Sequence, residues 1–316
     1  MDYGLHGANP ERFIDGLVYD FSTNTNVIKK RFKISKKNAY SYPSIEVDEL
    51  KCLLKYENEN ILFTNGINEA IYIIASLYNK VSILQPTYVE YERALTGFGK
   101  EITHLYNLDV IDTECIFICN PNNPTGEYRD LSNIIKSNPN TMFVIDESYI
   151  DFVENPFEID YLLKNVILLR SLTKTYHLSG LRLGYVLSNE ELIKTINDKK
   201  PTWSVNSFAI EVGKQMLSDE NFIKKTKKYY LKEKEYFTGK LRELGVEVVD
   251  SSVHYFLLKI SNSDFIPFML KHRIFVRHTN NFKGLNGNYI RICTRTRKEN
   301  KYFLKIIKKY RRIYEN

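Results

Sequence analysis

Cysteine is scarce in this chain, with four among 316 residues, and Cys52, Cys115, Cys119 and Cys293 fit no metal or redox spacing. A zinc site needs further Cys or His close by. None is there, so no metal is expected. No apolar run reaches the ~20 residues that a membrane-spanning helix requires. The stretch Met1-Asp2-Tyr3-Gly4-Leu5-His6 has neither the basic nor the apolar region of a signal peptide. A cytoplasmic protein without membrane contact is the expectation. Internal repeats, low-complexity linkers and groove-reading modules are also missing, so no nucleic-acid partner is expected.

What is there is an ordinary globular composition, 43% hydrophobic and 26% charged. The length suggests about two domains of roughly 150 residues each. Such a chain can bury a sizeable core without disulfide or metal staples. Cys115 and Cys119 lie in the run Glu114-Cys115-Ile116-Phe117-Ile118-Cys119. As a strand, its period of two puts both on one face as buried free thiols. The formal charge of +7 is unevenly spread, because Arg297, Lys298, Lys301, Lys305, Lys308, Lys309, Arg311 and Arg312 crowd the end. The same stretch holds an apolar stripe of Phe303, Ile306, Ile307, Tyr310 and Ile313. That spacing predicts an amphipathic helix packed on the body with its basic face solvated.

Residues 60–190 alternate short apolar runs with helical patterns, the signature of an α/β fold with a mostly parallel sheet flanked by helices. Candidate strands are Ile61–Phe63, Val81–Leu84, Cys115–Cys119, Met142–Ile145, Val166–Leu169 and Gly184–Leu187. Nearly every one ends in polar or turn-forming residues, and open α/β sheets bind ligands beyond the carboxyl ends of their strands. From about Asn206 to Leu244 the pattern is one long helical stretch. Strands are then expected at Val246–Val249, Tyr255–Ile260, Ile274–Val276 and Tyr289–Ile292. The expected organisation is an arm over 1–44, a large domain over 45–218 and a smaller α+β domain over 219–316.

Four strand-end clusters carry the chemistry. In Asn65-Gly66-Ile67-Asn68 a glycine precedes a helical pattern, and backbone N–H groups at a helix start bind anions. Asn120-Pro121-Asn122-Asn123-Pro124-Thr125-Gly126 is a rigid turn presenting amides. Asp146, directly after four apolar residues, is a partly buried acid that needs a partner. Ser171-Leu172-Thr173-Lys174 with Arg182 combines hydroxyls and a guanidinium suited to a phosphate dianion. The lysine among them can form an imine with an aldehyde when burial and nearby cations lower its pKa.

In this order Asn123-Pro124-Thr125-Gly126, Asp146-Glu147, Ser171-Leu172-Thr173-Lys174, Arg182 and Arg291 resemble the fold-type I pyridoxal-phosphate enzymes of the class I/II aminotransferase group. The resemblance implies pyridoxal 5′-phosphate as cofactor and Lys174 as the catalytic Schiff-base lysine. It implies Asp146 at the pyridine nitrogen, Asn123 and Tyr149 at the ring's 3′-oxygen, and Tyr88 stacked on the ring. Gly66, Ile67, Asn68, Ser171, Thr173 and Arg182 would hold the cofactor phosphate. Tyr42 would reach the phosphate of a partner subunit, so a homodimer is implied.

Within the group, the chain is similar to the threonine-phosphate decarboxylase branch of cobalamin biosynthesis. The similar segments are His6-Gly7-Ala8-Asn9, Asp20 to Asn26, Tyr88 to Leu95, Trp203 to Asn206, Val276-Arg277-His278 and Tyr289 to Ile292. The histidinol-phosphate aminotransferase branch shares the cofactor motifs and is the alternative. The decarboxylase resemblance implies O-phospho-L-threonine, or a close relative such as O-phosphoserine, as substrate. Arg291 would clamp its carboxylate beside Asn123, and Arg277 with His6, Gly7 and Asn24 would take its phosphate. The chain departs from that branch at Val27-Ile28, where Pro and Gly commonly follow the second Asn.

Overall fold

The computed structural model describes residues 16, 18–45, 47–260, 262–285 and 287–314. His6 and Gly7 lie outside the described residues. Strands in chain order are β1 Tyr19–Asp20, β2 Ile61–Thr64, β3 Lys80–Leu84, β4 Glu101–Leu105, β5 Cys115–Cys119 and β6 Met142–Asp146. They continue as β7 Val166–Ser171, β8 Gly184–Leu187, β9 Tyr255–Lys259, β10 Ile274–Phe275, β11 Arg277–His278 and β12 Tyr289–Cys293.

Seven strands form the large sheet in the order β2-β8-β7-β6-β5-β3-β4. β3 to β7 run parallel, and β8 is antiparallel to both neighbours. Central strands such as Cys115–Cys119 are buried along their whole length, as parallel strands covered on both faces must be. Cys115 and Cys119 face the same core cluster, as the period of two requires. On the helix Ile67–Leu77 the buried residues Ile67, Ala70, Ile71 and Ile74 recur at i, i+3, i+4 and i+7, the stripe that packs on a sheet. The parallel strands bring their carboxyl ends to one edge. β8 starts there too, because Gly184 pairs with Thr64 and with Ser171.

The smaller sheet, β11-β12-β9, is antiparallel. A core of Phe237, Leu241, Phe256, Phe303, Ile306 and Ile307 joins it to the helices Glu220–Glu243 and Arg297–Tyr314. The apolar stripe of the last helix is buried from Phe303 to Tyr310. Ile313 departs from it and is 55% exposed, one turn beyond the end of the core.

Three other elements differ from the sequence reading. The long helical stretch is two helices, Ser207–Leu217 and Glu220–Glu243, broken at Ser218-Asp219. Val246–Val249 makes a single bridge, Val248 to Leu258, in place of a strand. The expected strand Ile274–Val276 ends at Phe275. β10 pairs in parallel with β1, and after Val276 β11 pairs with β12. The Tyr19-Asp20 segment is thereby tied to the C-terminal part of the fold.

Candidate active site

A cavity opens at the carboxyl edge of the large sheet, where β1, β11 and β12 approach it. Gly66, Ile67, Asn68, Tyr88, Asn123, Asp146, Tyr149, Ser171, Thr173, Lys174 and Arg182 line it from the large sheet. Asn24, Arg277 and Arg291 close the opposite side. Tyr42 is elsewhere in the chain, 81% exposed and packed on Trp203 with ring centres 4.7 Å apart.

Lys174 follows β7 on the short helix Leu172–Thr175. It is half-buried, and its amine makes no hydrogen bond or ion pair among the described residues. Burial, then Arg182 and Arg291, lower its pKa to about 8, against an upward pull from Asp146. A lysine so placed is a nucleophile near neutral pH. Its loop is held from behind by the arm: Asn26 donates its backbone N–H to Lys174 O (2.9 Å) and its amide to Thr175 O (2.7 Å).

Asp146 ends β6 and is buried. Tyr91 donates to its Oδ2 (2.6 Å) and the Ser148 amide to its Oδ1 (2.9 Å). Burial pushes its carboxyl upward in spite of these donors, so it lacks a cationic partner of full strength. A pyridinium N–H would supply one. Tyr91 is fixed in turn by stacking on Phe117, 5.3 Å between centres, and by the Tyr88 ring set edge-on to it.

The anion cradle forms where helix Ile67–Leu77 begins. Gly66 has φ +69, and a Cβ there would lie 2.6 Å from Nη2 of Arg182. Only glycine lets the guanidinium settle against the helix start. Ser171 and Thr173 hydroxyls lie 3.0 Å apart on the next strand end. These donors, an amide-rich helix terminus and a guanidinium match a phosphate dianion. Together with Asp146 and Lys174 they fit pyridoxal phosphate.

Arg277 and Arg291 sit directly opposite each other on β11 and β12. Arg291 donates to Asn123 Oδ1 and to Ser22 O, with its guanidinium 5.6 Å from the Tyr255 ring. Its Nε is buried without a partner among the described residues. Arg277 is pulled down to about 9 by burial and then by Arg291. Two guanidiniums held this close call for anions between them. Asn24 turns its amide to the Tyr149 hydroxyl, on the ring side of the cavity.

Several lining residues were not singled out from sequence as site residues: Ser22, Thr23, Thr25, Val89, Cys119, Ser148, Ser179 and Phe282. Behind them, Tyr91 holds Asp146, and His254 Nε2 lies 2.9 Å from Asn24 O. Burial lowers the His254 pKa to about 3, so the ring is neutral and Nε2 donates. Ser22, Thr23, Thr25 and Val89 fell inside segments already quoted for the resemblance, which was the available signal. Tyr91 also lies inside the quoted stretch Tyr88 to Leu95, whereas His254 gave no signal beyond being aromatic.

A model of the family "Aminotransferase class I and II" matches residues 19–307. The chain belongs to that family. Its members are enzymes that depend on pyridoxal phosphate, and the cavity described above has the donors for it. The chain is 31% identical to the "Adenosylcobalamin biosynthesis bifunctional protein CobDQ" of Leptospira interrogans, over 98% of this chain and 39% of that protein. It thus spans well under half the length of that relative. It is 28% identical to a histidinol-phosphate aminotransferase of Methanococcus aeolicus, over 89% of this chain and 85% of that one. The crystal structure of L-threonine-O-3-phosphate decarboxylase from Porphyromonas gingivalis superposes with a TM-score of 0.82. It is 26% identical and covers 93% of this chain and 99% of that chain. No helix among the described residues is long and apolar enough to cross a membrane.

Proposed function

We propose that this enzyme decarboxylates O-phospho-L-threonine, or a close phosphorylated amino acid such as O-phosphoserine, to an aminoalkyl phosphate. The observation that carries the reading is the buried pair Arg277 and Arg291, opposed on neighbouring strands and facing the cavity that holds Lys174. A substrate with both a carboxylate and a phosphate offers one anion to each. The likeness to relatives named for adenosylcobalamin biosynthesis and threonine-phosphate decarboxylation points the same way.

When bound, the cofactor withdraws electrons from the substrate's Cα and weakens the bond that stands perpendicular to its ring. The protein decides which bond that is. Arg291, fixed by Asn123 and Ser22, binds the carboxylate, and Arg277 the phosphate. Two anchors set the rotation about Cα that a single anchor leaves free. Asp146, clamped by Tyr91 and the Ser148 amide, would keep a negative charge at the pyridine nitrogen. Lys174, with its lowered pKa, would carry the cofactor at rest and act as the general acid that returns a proton to Cα. Gly66, Ile67, Asn68, Ser171, Thr173 and Arg182 would hold the cofactor phosphate, Tyr88 would cover the ring, and Asn123 and Tyr149 would bind its 3′-oxygen. His6, Gly7 and Asn24 are the further residues we assign to binding the substrate phosphate. Tyr42 serves the partner's cofactor phosphate in a homodimer.

The test is incubation of holoenzyme with O-phospho-L-threonine while released carbon dioxide is trapped. Carbon dioxide without any keto-acid requirement is expected. The second reading, transamination of histidinol phosphate, is favoured by the similar identity to relatives with that name. A need for 2-oxoglutarate with accumulation of glutamate would establish it and overturn the first.

A further inference from the structure

The loop Thr279–Leu285, which follows β11, reaches across to the outer edge of the large sheet. Lys283 Nζ donates to Glu92 Oε1 (2.8 Å) and lies 2.8 Å from Nε2 of His104. Glu92 belongs to the helix Glu90–Gly97, and His104 to β4. One residue further, Gly284 (φ +90) lets the backbone press on Tyr106, whose ring would be 3.1 Å from any Cβ there. Before Lys283 the same loop faces inward. Asn281 Oδ1 accepts from Arg277 Nη2 (2.7 Å), and the Phe282 ring centre is 5.0 Å from the Arg277 guanidinium. Phe282 and Arg277 line the cavity, whereas Lys283, Glu92, His104 and Asn281 do not.

We propose that Lys283 is a positioning residue, whose tether to Glu92 and His104 holds Asn281 and Phe282 against Arg277 and so fixes the second anion site. The inference rests on the reading that the substrate carries a phosphate. A guanidinium on a long stem binds a dianion tightly only where its rotamer freedom is already gone. Asn281 and Phe282 remove that freedom, but both ride on a loop. An exposed ion pair is worth little by itself. Here it acts on a segment whose other face is the cavity wall, so its loss loosens Arg277 without touching Lys174 or Asp146.

Holoenzymes with Lys283→Met or Glu92→Gln are compared with wild type and with Lys283→Arg. In the first two, the KM for O-phospho-L-threonine is expected to rise roughly fivefold while kcat stays within about twofold. Amide exchange over residues 279–285, measured without substrate, is expected to speed up. Lys283→Arg restores most of the affinity, and the cofactor absorbance is the same in all four proteins. Unchanged exchange, or faster exchange at an unchanged KM, overturns the proposal. So does a parallel fall of kcat and cofactor content, which marks a merely structural role. If wild type turns over no phosphorylated amino acid, the decarboxylase reading is what fails. Exchange together with the affinity for inorganic phosphate, read from the cofactor absorbance, then decides the tether.

Discussion

Lys174 sits in a site that opposes its own charge. An ordinary lysine amine titrates near 10.5, and here burial, Arg182 and Arg291 bring it to about 8. The shift makes the amine reactive and costs stability, and the sign follows from linkage. Above pH 10.5 the amine is neutral in folded and unfolded chains alike, and no cost arises. Between 10.5 and 8 the unfolded chain binds the proton and the folded one does not, so the cost grows. Below 8 it is complete. Lys174→Met in the cofactor-free protein is therefore expected to raise the unfolding free energy at pH 7 by on the order of 2–3 kcal/mol. The gain should fade towards pH 10.5. Urea midpoints at the two pH values check this, and an equal gain at both would assign the effect to packing.

At the scale of elements, strand ends and the first turns after them build the cradle, and Gly66 is its tightest point. Its φ of 69 and ψ of 165 lie in a region essentially closed to residues with a side chain. A Cβ would also displace Arg182. Gly66→Ala is expected to weaken cofactor binding at least about tenfold, the factor that 1–3 kcal/mol of backbone strain implies. Titrating apoenzyme with pyridoxal phosphate measures it, with circular dichroism to show that the fold persists. This cradle was legible in the sequence because each strand is an apolar run stopped by a polar turn. β4 was missed for the same reason. Glu101-Ile102-Thr103-His104-Leu105 is the outermost strand, half-solvated, and alternates instead of running apolar. The supports of the site were illegible for a different cause. Asn24 meets Tyr149 across 125 residues of sequence and His254 meets Asn24 across 230. Pairings at that range are fixed by tertiary packing and leave no local pattern.

The whole molecule enters through convergence. Arg291 comes from β12, its acceptor Asn123 from the turn after β5 and its acceptor Ser22 from the segment after β1. Tyr255 on β9 donates to Asn122 O (2.9 Å), and Ser252 N to Gly126 O (2.8 Å). Domain placement and substrate geometry are therefore one problem in this fold. The proposed homodimer would extend it to a second copy. Tyr42, Ile45 and Trp203 are 81%, 54% and 45% exposed, and Ile45 and Trp203 share one groove. Exposed apolar side chains there would suit an association site in the proposed homodimer, in which Tyr42 would act across the interface. Subunit mixing tests this without a new structure. A Lys174→Ala subunit has no amine for its own site but still offers Tyr42. A Tyr42→Ala subunit keeps its amine and leaves the partner's site without the phenol. If Tyr42 acts across the interface, the hybrid dimer contains one site with both groups intact. Unfolding and refolding the two variants together should then give activity well above the sum of the parents refolded apart. If Tyr42 serves its own subunit, both sites of the hybrid stay defective and the mixture only adds.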